Sequence, residues 1–340
     1  MTEAPKHPDE AGETPAVAVP VIIDPDPTAA EDYEVGLKSL NQWQLAWRKF
    51  RKHKLALIGL AIIALLIGVA IIGPVVLPFA FTDIPRPDQM VQMGRPPFCQ
   101  TYDGIHRVCQ AWTLAHPMGE TGGLQRDVMT LVINGARTSL LIGFSSMAIG
   151  VFIGTLVGAI AGFAGGVVDN LLMRLVDVML SLPTLFVILV AAKFLGQGTV
   201  SMIIVIFGLL SWMGISRLVR SLFLSIRERE FVEAALAVGV RDRRIIFRHI
   251  LPNAFSPIVV ASSLIVAGNI ISEAFVSFLG FGVDPTSPTW GNILSGGLQF
   301  IALGNWWWPL FPGLAIIVTV LAVNFVGDGL RDAFDPRSRV

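Results

Sequence analysis

Six stretches of this chain stay apolar for about 20 residues or more, the length a helix needs to cross the hydrocarbon core of a bilayer. They run roughly 55–79, 138–161, 170–195, 200–222, 254–280 and 307–329 of the 340 residues. Composition agrees with membrane burial. Hydrophobic residues make up 53% and charged residues 15%, with a mean hydropathy of +0.67, against about 25% charge in a soluble domain. The expected class is an all-α integral membrane protein with about six transmembrane helices. Lys+Arg 25 and Asp+Glu 25 cancel, so net charge argues for no nucleic-acid partner.

The basic residues set the orientation. Arg48, Lys49, Arg51, Lys52 and Lys54 precede the first span. Arg217, Arg220, Arg227, Arg229, Arg241, Arg243, Arg244 and Arg248 cluster between the fourth and fifth. Arg331, Arg337 and Arg339 follow the sixth. With six spans these segments share one side, so both termini are expected to be cytoplasmic and the protein multi-pass in the plasma membrane. Residues 1–36 hold six prolines and nine acidic residues, with Lys6 the sole Lys or Arg, a composition that favours disorder. Leu40, Trp43, Trp47 and Phe50 then recur at helical spacing opposite a basic face. This segment is either an interfacial helix or the wet start of the first span. The expected order is a disordered tail (1–36), an amphipathic interfacial helix (37–54), a first transmembrane helix (55–79) and an extracytoplasmic loop (80–137). A core of five transmembrane helices (138–329) and a cytoplasmic tail (330–340) complete it.

Cys99 and Cys109 both fall in the first outside loop. An oxidising exterior would let them bond; otherwise they are two free thiols. Trp306, Trp307 and Trp308 open the sixth span, where an aromatic belt belongs. Enzyme signatures are missing. The chain has no G-x-x-x-x-G-K-[ST], H-E-x-x-H, G-x-S-x-G or C-x-x-C, and no histidine lies deep in a span. No catalytic residue, metal site or cofactor on this chain is expected.

The cytoplasmic segment 227–253 carries the strongest pattern. Its first part is rich in helix formers, and Phe231, Ala234, Ala235 and Val238 share one face. Gly239 can supply a left-handed helix stop. Asp242 can cap a second short helix, and Pro252 suits the first turn of the next span. The segment reads as a helix-turn-helix exposing small residues to a partner, or as a charged loop clamping two spans.

Glu233-Ala234-Ala235, then Gly239, then Leu251-Pro252, resembles the EAA loop of ABC importer permeases. The resemblance extends through His116-Pro117-Met118-Gly119, Arg126-Asp127-Val128, Gly135-Ala136-Arg137-Thr138-Ser139-Leu140, Pro288-Thr289-Trp290-Gly291 and Gly327-Asp328-Gly329-Leu330-Arg331-Asp332. The run His249-Ile250-Leu251-Pro252-Asn253 resembles the dipeptide/oligopeptide/nickel branch, and its C-type permease in particular. Gly122-Gly123-Leu124-Gln125 and the Cys99–Cys109 insertion depart from that pattern. The resemblance implies a type I importer fold in which Glu233, Ala234, Ala235, Gly239, Arg244, Leu251 and Pro252 form the coupling loop. It implies a second homologous permease, two ATPase subunits holding ATP and Mg, and an extracytoplasmic binding protein. The expected cargo is a short peptide; a nickel chelate, haem or a glutathione-like solute are the alternatives.

Two features inside the spans remain. Gly150, Gly154, Gly158 and Gly162 form a smooth stripe, suited to a moving interface or to static packing. Ser262, Asn269, Glu273 and Ser277 form a polar stripe on the fifth span. Glu273 would line a pathway or pair with a neighbouring helix. An ion-gradient-driven transporter using Glu273, or a membrane scaffold, are the competing functional classes.

Overall fold

The computed structural model describes residues 42–76, 94–103, 108–112, 114, 116–124, 126–195, 198–284 and 286–334. The expected tail 1–36 and most of the C-terminal tail lie outside them.

Two helices open the described chain, α1 (Gln42–Phe50) and α2 (Lys54–Val76). Ala46 and Phe50 of α1 are buried against the last helix of the chain, while Trp47 remains exposed and stacks on Phe50. A hairpin of β1 (Cys99–Asp103) and β2 (Val108–Trp112) follows. A Cys99–Cys109 disulfide closes it, with 5.8 Å between the Cα atoms.

Helix α3 (Val128–Ala164) is longer than the 138–161 expected. It starts early because Asp127 caps it: one carboxylate oxygen accepts from the Thr130 N–H and hydroxyl, each at 2.7 Å. The glycine stripe faces α6 (Val200–Arg227) along its length. A Cβ on Gly154 would sit 2.6 Å from the Trp212 carbonyl oxygen, and one on Gly158 2.5 Å from that of Ser216. In this conformation the stripe is a close-packed helix contact.

The third expected span is not one straight helix. It consists of α4 (Gly166–Ser181) and α5 (Thr184–Leu195), bent by 78°. Pro183 lacks an N–H and pushes the preceding Leu182 to extended backbone, ψ 131°. Asp177 pairs with Arg217 of α6, although Arg174 stands three residues away on its own helix. Asp169 takes a two-pronged bond from Arg220, one arm at 2.6 Å. Both pairs tie α4 to α6.

After α6 come α7 (Glu230–Ala237), α8 (Asp242–Ile245) and a π-helical turn, 246–250. The turn runs straight into α9 (Leu251–Phe278), with Pro252 in its first turn. A short helix absent from the sequence reading, α10 (Trp290–Ile301), sits between α9 and the last helix. Helix α11 (Trp307–Phe334) closes the chain. Of the three tryptophans assigned to an aromatic belt, Trp306 is exposed. Trp307 is buried and donates from Nε1 to the Glu120 carbonyl at 3.0 Å, so it belongs to the core.

Among the described residues five helices are long and apolar enough to span a bilayer, or six if the bent pair is one span. Their apolar cores sit at two ends. Val128, Leu140, Ile270, Trp290 and Trp307 pack at one. Val219, Phe223, Val232, Ile245, Ile250 and Ala254 pack at the other, which carries α7 and α8.

Candidate functional site

Helix α7 is mounted on the bundle by its inward face. Val232 is fully buried among Phe223, Ile226 and Ile250, and Ala235 and Val240 pack against the same cluster. The chain reverses at Gly239, φ +81°. The Gly239 N–H donates to the Leu236 carbonyl at 2.9 Å and the Val240 N–H to that of Ala235 at 3.1 Å. This is a Schellman stop, which satisfies the last carbonyls of α7 and points the chain back toward the bundle. The second short helix starts at the residue expected from sequence to cap it. Arg241 is its N-cap, and Asp242 is its first residue with no side-chain cap bond. An acid there still complements the helix dipole.

The outward face holds the remaining sequence-marked residues. Phe231, Ala234 and Val238 are exposed at spacings of three and four, with Val238 at 84%. Glu233, Gly239 and Arg244 are exposed beside them, and Pro252 further along, whereas Leu251 packs inward. The structure therefore gathers one apolar stripe with small residues, edged by Arg241, Arg243 and Arg244, on a helix fixed from beneath. Such a stripe can seat a complementary groove on another protein. It holds no arrangement of nucleophile, base or metal ligands.

The polar stripe of α9 lies near the opposite end. Glu273 is 1% exposed. Its carboxylate accepts from the Ser139 hydroxyl of α3 at 3.2 Å, from the Ser277 hydroxyl at 2.8 Å, and from the Thr289 hydroxyl. Ser139 also accepts from the Trp290 N–H at 3.2 Å. Glu273 thus joins α3, α9 and the start of α10. Asn269 accepts from Ser211 of α6 at 3.1 Å, and Ser262 donates to the Ile258 carbonyl of its own helix. Asn269, Glu273 and Ser277 face helices of this chain. Ser139, Thr289 and Trp290 escaped the sequence reading as partners of Glu273, although each stands in a motif already singled out there.

Arg95, His116, Glu120 and Asp127 gather outside the spans at that same end. His116 Nδ1 lies 3.0 Å from Asp127 Oδ1, its Nε2 3.3 Å from Glu120 Oε1, and Arg95 Nε 3.3 Å from Glu120 Oε2. The hydrogen bond to Asp127 holds the imidazole above its ordinary pKa. Burial raises the Glu120 carboxyl, against the pull of Arg95 and His116.

Residues 154–340 match the binding-protein-dependent transport system inner membrane components. The chain belongs to that family. Residues 41–97 of this inner membrane component also match the N-terminal transmembrane domain of oligopeptide transport permease C. It is 36% identical over 306 residues to the oligopeptide transport system permease protein OppC of Haemophilus influenzae, covering 90% of this chain and 92% of the relative. It is 36% identical over 301 residues to the dipeptide transport system permease protein DppC of Bacillus subtilis, covering 88% of each. Among solved structures, the MetNI methionine ABC transporter in an inward-facing conformation matches with a TM-score of 0.50 at 20% identity. That match covers 60% of this chain and 97% of the other, and it establishes a shared fold. This inner membrane component is a multi-pass transport subunit.

Proposed function

We propose that this chain is one of two homologous membrane subunits of an ATP-driven importer for short peptides. An extracytoplasmic binding protein delivers the cargo, and two separate ATPase subunits bind ATP and Mg. The α7–α8 turn and both termini face the cytoplasm. The observation that carries this reading is the outward Phe231–Ala234–Val238 stripe on a helix bolted to α6 and α9 by Val232. A rigid mount passes displacement to the spans; a loose loop would absorb it. Closure of the ATPase dimer pushes on α7, the π-helical turn carries the push into α9, and access alternates between the two sides. The peptide cargo is supported by the names of the relatives from Haemophilus influenzae and Bacillus subtilis. We read Glu273 as a clamp between helices of this chain. Three hydroxyls already claim its oxygens, which argues against the ion-gradient transporter.

The test is uptake of a labelled dipeptide or tetrapeptide by proteoliposomes holding the complete complex. Uptake that needs internal ATP and external binding protein, and survives collapse of the ion gradients, supports the importer. Uptake that follows the gradient and ignores ATP overturns it.

A further inference from the structure

A groove of about 740 Å³ opens at the end of the bundle that carries α7. Helix α9 forms its floor, and α1, α6 and α11 form its walls. Lys49, Arg229 and Arg331 line it, and no carboxylate does. Neither Arg229 nor Arg331 has an ion-pair partner among the described residues. Arg48 and Lys52 follow on the same segment as Lys49 and line an adjoining recess. Along α9 the lining changes from polar to apolar, from Ser256 through Val260 to Leu264. Eight residues of helix carry that change over about 12 Å.

A cationic rim above an apolar shaft is the complement of an amphiphile with an anionic head. We propose that this groove binds one anionic phospholipid, its phosphate among Lys49, Arg229 and Arg331 and an acyl chain along Val260 and Leu264. Basic pockets between spanning helices at the cytoplasmic side suit such headgroups. A choline head would find no carboxylate in the lining. A free phosphate would leave the shaft unfilled, and a peptide lying along Val260, Ala261 and Leu264 would meet no side-chain donors or acceptors for its amides there.

The experiment is native mass spectrometry of the intact complex released from vesicles of phosphatidylcholine with a minority of phosphatidylglycerol. Wild type is expected to retain phosphatidylglycerol and exclude phosphatidylcholine, and soluble glycerol phosphate is expected not to displace it. The Arg229→Gln/Arg331→Gln pair should weaken retention about 30-fold, and Arg229→Lys/Arg331→Lys should restore most of it, which separates charge from folding. Equal retention of both lipids overturns the proposal, as does retention indifferent to the Gln pair. So does a groove that holds no lipid in the intact complex because the second membrane subunit or the cargo fills it.

Discussion

Gly239 has the most direct link between backbone and function. At φ +81° a β-branched side chain is strained by about 1–2 kcal/mol, and relief would tilt α7. Gly239→Val should therefore lower transported peptide per ATP hydrolysed, while the open space around the residue lets the chain fold. Parallel assays of uptake and phosphate release in proteoliposomes check this, and an unchanged ratio would refute it. Glu273 makes the opposite case, where stability is at stake. Glu273→Leu removes the shared acceptor of three hydroxyls and should cost about 2 kcal/mol. Glu273→Gln keeps one acceptor oxygen and should cost less than half as much. Thermal unfolding in detergent ranks the two. His116 adds a pH dependence. Its folded pKa lies above 6.5, so its stabilising contribution is complete below that pH and fades as the pH rises through the folded value. The raised Glu120 pKa acts in the same direction, from about 4.5 upward. His116→Gln should flatten the loss of melting temperature as the pH rises above about 6.5; a slope unchanged from wild type would assign it elsewhere.

Helix α3 was legible as a packing element because four glycines at four-residue spacing leave few alternatives. Their partner was not, since nothing in the stripe names Trp212, Ser216 or Phe223 as the surface it meets. Gly154→Leu should cost about 1–3 kcal/mol by forcing α3 off α6, visible as a lower melting temperature and less assembled complex. A variant that melts like wild type would mean the contact opens readily. The α4–α5 bend was written in Pro183, yet the apolar run around it reads as one span because hydropathy carries no direction. Asp177 shows a related limit of local pattern. Spacing puts Arg174 within reach along the helix, but the fold brings Arg217 to it from across the contact. Helix α10 went unseen because its apolar run is too short to span a membrane and its start depends on the Thr289 cap, which accepts from the Asn292 N–H at 3.2 Å.

Across the whole molecule, the end that carries α7 and α8 was the more readable of the two. Helix formers, a helix-stop glycine and a proline follow one another there in local order, and the structure needs little more. The other end is assembled from residues far apart in sequence. His116 meets Asp127, Trp307 meets Glu120, and Ser139 meets Glu273 and Trp290, 134 and 151 positions away. No local pattern reports such contacts. One consequence of the Pro183 elbow concerns how the chain is made. At 1.5 Å per residue, α4 reaches about 24 Å and α5 about 18 Å, and neither covers a hydrocarbon core of about 30 Å alone. A crossing at this point therefore needs both helices, and Asp169 and Asp177 of α4 meet their partners Arg220 and Arg217 only once α6 has been made. The carboxylates of α4 thus stay without these guanidinium partners until the chain has grown past Arg217, and the elbow settles against α6 last.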